Sequence, residues 1–207
     1  MSGKEGGLIR AFAFYGAYHN NRTNQLIHQV FVPAIFSTAL VFLTRAPLGI
    51  KTSALPSLCA PVLAFLGEGK GGASLTAALP VAVGYAGYYM SLTVVQRPLL
   101  GLGAASLVLG ALPLAHAWMG NLGSYALQGA IALHVTSWLA QFYGHGVHEG
   151  RSPALLDNLF QAIFMAPLFV LMETLMGFGL LNDFKEAVDP IVLKAIADFR
   201  KQGGGRK

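Results

Sequence analysis

Charge is what this sequence lacks. Asp, Glu, Lys and Arg make up only 11% of its 207 residues, against 54% hydrophobic residues, and soluble domains carry roughly twice that share of charge. From Pro98 to His148 there is no charged residue at all. At about 20 residues per crossing that gap is long enough to traverse a bilayer twice, which excludes water as the solvent for the stretch. Cysteine is nearly missing as well: Cys59 stands alone, ruling out an intrachain disulfide and any multi-thiolate metal site. The opening MSGKEGGLIRAFAFYGAYHNNR has no continuous apolar core followed by a small-residue cleavage site. No cleaved signal peptide is therefore expected, and insertion is left to the first apolar span.

The charges that remain give a net +5. Lys4, Arg10 and Arg22 precede the first span, and Lys185, Lys194, Arg200, Lys201, Arg206 and Lys207 close the chain. Basic flanks mark the cytoplasmic face and contact with anionic lipid, so membrane lipids, not nucleic acid, are the expected partner. Apolar helical segments read at about Ile27–Leu43, Ala54–Leu66, Leu75–Val95, Pro98–Trp118, Tyr125–Phe142 and Leu159–Leu181. The second is too short to cross comfortably and contains Pro56 and Pro61, which makes it re-entrant or interfacial. The last holds Pro167, Glu173, Gly177 and Gly179, the pattern of a broken or hairpin-like helix. Phe184–Arg200 then alternates apolar and charged residues at a near-helical period around Pro190 and reads as a surface helix.

The expected fold is an all-α integral membrane bundle of about four to six hydrophobic segments with a short C-terminal surface helix. It forms a single domain over 1–207: a polar N-terminal segment 1–26 carrying His19, a membrane region 27–181 and a basic tail 182–207.

Ionisable groups are expensive near a bilayer, so those that persist are the first place to seek function. His19 and His28 flank the start of the first span in YHNNRTNQLIH; His145 and His148 follow the fifth in QFYGHGVHEG. Asn24 and His28 are four apart, as are His145 and Glu149, so each pair shares a helical face. Imidazole with carboxylate suits iron, zinc, manganese or nickel, and open positions beside such ligands are the arrangement of non-haem iron oxygenases. The plainer reading of each residue is a hydrogen bond to a carbonyl or a lipid headgroup. Four full crossings between the two clusters return them to one face, and the basic residues Arg22 and Arg151 on that face make it cytoplasmic. His148 points off the line of His145 and Glu149, as an outer ligand or toward headgroups. Glu173, an acid within LFVLMETLMGF, needs a cation, a metal or a proton and is placed to orient a ligand histidine. Gln141, one turn before His145, lines the same pocket or bonds a neighbouring helix. Arg151 takes a carboxylate headgroup or merely sets topology. His116 and His134, inside apolar runs, are expected to hydrogen-bond between helices.

FYGAYHNNRTNQLIHQVFVPAIF and WLAQFYGHGVHEGRSPALLDNLFQAIFMAPLFVLMETL, about 60 of the 207 residues, resemble the two signature blocks of the membrane-bound 2-hydroxy fatty acid dioxygenase family. A fungal member of that family acts in phytosphingosine breakdown. The shared features fall on Tyr18, His19, Asn24, His28, Pro33, Gln141, Gly144, His145, Gly146, Glu149, Pro153, Ala154 and Glu173. No counterpart is evident from about Thr44 to Gly123, and His148 stands where the fungal member has an aromatic residue.

The resemblance implies iron-dependent fatty acid α-oxidation in the endoplasmic reticulum membrane, with a multi-pass chain and its metal site near the cytoplasmic face. The substrates it implies are a 2-hydroxy fatty acid, such as 2-hydroxypalmitate, and dioxygen; the product is a fatty acid one carbon shorter. Combined with the spacing, it implies an Fe(2+) site of His19, His28, His145 and Glu149, with Glu149 a ligand or the carboxylate that orients one. Asn24, Gln141, His148, Arg151 and Glu173 surround that site or meet substrate. The alternative is a non-enzymatic membrane scaffold or transporter with a His-lined polar cavity. Desaturase-type di-iron chemistry would want several HxxH or HxxHH boxes, and HGVHE is a single stretch at that spacing.

Overall fold

Apolar chain that cannot bond to water must satisfy its backbone internally, and helix does this segment by segment. The structure, a computed structural model describing residues 3–70, 73–150 and 158–201, is accordingly almost all helix. In chain order come α1 (Gly3–Tyr18), α2 (Arg22–Leu43), β1 (Pro47–Lys51), α3 (Ala60–Phe65), β2 (Ser74–Thr76), α4 (Ala78–Thr93), α5 (Pro98–Leu122), α6 (Ala126–Tyr143), α7 (Leu159–Gly177) and α8 (Asn182–Lys201). Two stretches are long and apolar enough to cross a membrane among the described residues: α2, and the 52-residue helical run Pro98–Glu149 that includes α5 and α6. A third arises if α7 and α8, bent by 113° at their junction, count as one span.

The six expected segments therefore do not all span. The stretch expected over Ala54–Leu66 is two 3-10 turns and the six-residue α3, short as its prolines imply. In place of the start of Leu75–Val95, β2 pairs antiparallel with β1 in register Pro47↔Thr76, leaving α4 only 16 residues. At 1.5 Å per residue such a helix falls short of the roughly 30 Å hydrocarbon core. The break expected in Leu159–Leu181 comes at its end. Leu180 N–H bonds Leu175 O and Gly179 N–H bonds Met176 O, a Schellman closure whose left-handed residue is Gly179 at φ 76°.

Contacts gather into two units. One comprises 1–33 and 137–207. In it α1 packs on α7 and α8, with Phe12 edge-on to Phe169 (5.4 Å) and Phe184 (5.5 Å). The amphipathic α8 buries Phe184, Val188 and Val192 at four-residue steps. A Cβ on Gly16 would stand 2.9 Å from Val192, so the glycine sets how closely α1 and α8 approach. Segment 1–26 thus differs from the polar segment expected: α1 is a helix burying Leu8, Ile9, Phe12, Ala13, Tyr15, Ala17 and Tyr18.

The other unit, 34–136, is built on α4 against α5. Ala78, Ala82, Leu112 and Ala115 meet in a core with Leu40 and Val41, small residues that allow close helix approach. Its one deeply buried acid is fully engaged, since Glu68 accepts from the N–H and hydroxyl of Thr76 (2.8 and 2.7 Å) and pairs with His116 (3.1 Å).

Candidate metal centre

Leu8, Phe12 and Tyr15 form a buried stripe along one face of α1, and His19, the first residue past the helix end, extends it by one turn. The chain then turns, and Asn21 Oδ1 accepts the N–H of Thr23 (2.9 Å) and of Asn24 (3.4 Å), capping α2. On the first turns of α2, Asn24 and His28 are both buried. Far along the sequence, α6 continues into a π-helical turn, Gly144–Glu149, that buries Gly144 and His145; such turns concentrate at functional sites.

The three histidines meet. His19, His28 and His145 each offer a ring nitrogen, and these atoms lie within 4.8 Å of one another. The ring centroids are 4.3, 4.8 and 4.9 Å apart, and no ring is more than 4% exposed. Nδ1 of His19 bonds the carbonyl of Tyr15, and Nδ1 of His28 that of Asn24, each at 2.9 Å. A carbonyl can only accept, so both rings carry their proton on Nδ1 and keep the Nε2 lone pair. His19 Nε2 is buried with no hydrogen-bond partner among the described residues. Burial, then the facing His28 and His145 rings, hold the His19 pKa well below its usual value, leaving the neutral form that a metal ligand must have. A buried, all-imidazole donor set fits a divalent metal such as iron, zinc or nickel.

Supporting contacts surround the trio. The Tyr15 ring stacks on His19 at 3.8 Å and 15°, while its hydroxyl donates to Glu173 Oε2 at 3.4 Å. Burial and then the Glu173 carboxylate push the Tyr15 phenol well above its usual pKa, so it stays a donor. Glu173 thus reaches His19 through Tyr15. Glu149, expected as a ligand or an orienting carboxylate, is not in the histidine cluster. Its two oxygens accept the backbone N–H groups of Asn20 and Asn21, the latter at 2.9 Å. Those amides at the start of α2 lack partners within the helix, and a carboxylate is well suited to that helix end. Glu149 ties the π-helical turn to the turn that carries His19.

The remaining expected residues divide. Asn24 and Gln141 are buried. His148 is half-buried, edge-on to Tyr143 at 5.4 Å, and is not a member of the trio. Arg151 lies outside the described residues. In the other unit His134 Nδ1 bonds Thr38 Oγ1 of α2 at 2.8 Å, the interhelical bonding expected of it, whereas His116 pairs with Glu68 in the turn after α3.

A family model described as 2-hydroxy-palmitic acid dioxygenase Mpo1-like matches residues 8–177. The chain belongs to the Mpo1-like family. It is also 29% identical, over 184 residues, to the 2-hydroxy-palmitic acid dioxygenase MPO1 of Saccharomyces cerevisiae, covering 88% of this chain and 87% of that one. No solved structure matches it. The segment matched to the Mpo1-like model contains all three histidines, Glu149 and Glu173, whereas α8 lies beyond it.

One residue beside the histidine cluster does not stand out in the sequence. Tyr15 lies four before His19, the spacing that singled out Asn24 before His28, but an aromatic in an apolar helix reads as core. Its polar end shows only once α7 brings Glu173 to it.

Proposed function

We propose that this protein is an iron-dependent dioxygenase that converts a 2-hydroxy fatty acid to a fatty acid one carbon shorter, with His19, His28 and His145 holding Fe(2+). The observation that carries the reading is the buried trio itself: three imidazoles from three separate elements, converging inside the segment that matches the family. Zinc also takes three histidines but has no redox chemistry, so an oxygen-consuming reaction favours iron among the metals this donor set accepts. The metal, when bound, supplies dioxygen activation and a Lewis-acid contact for the substrate's carboxylate and hydroxyl oxygens.

The chain's own residues do the rest. The carbonyls of Tyr15 and Asn24 fix the tautomer and angle of two ligands, which is how outer contacts tune a metal site. Burial of all three rings keeps bulk water from a reactive centre. Apolar side chains exposed on α2, α5 and α6, among them Val30, Leu107 and Leu139, suit lipid and a long acyl chain. Arg22 and the basic end of α8 favour placing the site near the cytoplasmic face, in the endoplasmic reticulum membrane.

Electron counting constrains the products. Oxidising the hydroxyl-bearing carbon to a carboxyl and releasing the old carboxyl as carbon dioxide removes four electrons, the number that one dioxygen takes up on reduction to the level of water. A 2-hydroxy acid plus dioxygen then gives the shortened acid, carbon dioxide and water, with no external reductant. The test is turnover of 2-hydroxypalmitate by iron-loaded protein in detergent, followed by mass spectrometry. Pentadecanoate from wild type and none from His145→Ala supports the reading. Unchanged hydroxy acid with iron-loaded wild type contradicts it.

A further inference from the structure

Two buried polar side chains remain unexplained. Asn24 is 0% and Gln141 7% exposed, yet Asn24 Oδ1 and Gln141 Nε2 have no hydrogen-bond partner among the described residues. Burying an amide atom unpaired is costly, and a native fold that does so needs a reason at that spot. Their placement repeats. Asn24 lies four residues before His28 on α2 and so shares its face, and Gln141 lies four residues before His145, where α6 passes into the π-helical turn. Asn24 also reaches across: a Cβ on Gly144 would meet its Oδ1 at 2.4 Å, so that oxygen lies against the residue preceding His145. Its Nδ2 donates to the Tyr18 carbonyl at 3.4 Å, which assigns the two ends of the amide.

One unpaired acceptor and one unpaired donor ask for a ligand that offers the opposite pair. A carboxylate only accepts, while a hydroxyl donates. We infer that Asn24 and Gln141 read the head of a 2-hydroxy acid, Asn24 Oδ1 accepting the hydroxyl proton and Gln141 Nε2 donating to the carboxylate; the inference rests on the dioxygenase reading above. An unsubstituted fatty acid satisfies Gln141 and leaves Asn24 Oδ1 unpaired. Sites built to bond a substrate hydroxyl discriminate strongly against the analogue lacking it, because the buried partner is stranded. Asn24 is thereby the specificity residue, and Gln141 holds the group common to both acids.

The experiment uses metal-free, full-length protein in one detergent, so that chelation plays no part, and compares binding of 2-hydroxypalmitate with palmitate. Wild type is expected to prefer the hydroxy acid by about 10-fold or more, the worth of one buried hydrogen bond. Asn24→Leu is expected to abolish the preference while keeping palmitate affinity; Gln141→Met is expected to weaken both acids alike. Without ligand Gln141→Met should melt at or above the wild-type temperature, because an apolar group of similar shape relieves an unpaired polar one, whereas Asn24→Leu also gives up the bond to the Tyr18 carbonyl. Asn24→Ser serves the same arm should the leucine variant fail to fold. If iron-loaded wild type shortens 2-hydroxypalmitate but Asn24→Leu retains the preference, or Gln141→Met leaves both affinities unchanged, the inference is overturned and the dioxygenase reading stands. Wild type that neither discriminates the acids nor turns over the hydroxy acid when iron-loaded overturns both.

Discussion

Tyr15 touches His19 twice, through its stacked ring and its carbonyl, while its hydroxyl reaches Glu173. Tyr15→Phe removes only the hydroxyl, whereas Tyr15→Leu also removes the flat surface against which the imidazole rests. Outer contacts of this kind are worth about 10- to 100-fold in metal affinity. Competition with a chromogenic chelator should show Tyr15→Leu within that range and Tyr15→Phe nearer wild type; equal affinities for both variants and wild type would remove Tyr15 from the account. Glu149→Gln keeps the shape but loses the charge and one of the two amide contacts, and is expected to weaken metal binding about 10-fold, with no new ligand needed to explain it. The histidines were legible in the sequence because polar residues stand out against an apolar chain and the i,i+4 pairs give them a direction. The destination of Glu149 was not legible. Reading it as a possible ligand assumed an α-helix through His145–Glu149, but the chain adopts a π-helical turn there, and the amides that capture the carboxylate come from the opposite end of the unit.

At the level of elements, the approach of α1 to α8 hinges on Gly16 and Val192. Gly16→Ala forces Cβ into the Val192 side chain, and such overpacking costs about 1–3 kcal/mol. Val192→Ala makes room. Thermal or denaturant unfolding should show the double variant more stable than the sum of the single effects, the signature of residues in direct contact; strict additivity would mean that the helices do not meet there. The C-terminal helix could be read in advance because its apolar residues recur at four-residue steps, and the hinge before it because Gly177 and Gly179 punctuate the run. The packed α1 could not. Its glycine-rich, charged opening GKEGG masks the apolar stripe that follows, and burial of that stripe depends on α7 and α8, more than 140 residues away. The β1–β2 pair was equally hidden, since three- and five-residue strands leave almost no periodicity to detect.

For the molecule as a whole, composition announced an apolar solvent and the helical architecture answers it, with fewer membrane-length helices than the hydropathy pattern alone suggested. The stoichiometry makes a further prediction: 2-hydroxypalmitate labelled at its carboxyl carbon should release the label as carbon dioxide without added reductant. Label recovered as formate would mean that the substrate gives up only two electrons, leaving dioxygen at the level of hydrogen peroxide or calling for a reductant, and would contradict the balance. Because a bound metal stabilises only the folded chain, iron should also raise the melting temperature of wild type and not that of His28→Ala. Most direct of all is the metal content of detergent-purified protein, reconstituted anaerobically with iron and then desalted, for wild type, His28→Ala and His145→Ala. Near-stoichiometric iron in wild type and little in either variant is the expected result. Wild type that retains no iron, or variants that retain as much as wild type, would contradict it and leave the three histidines as the polar lining of a membrane scaffold or transport cavity.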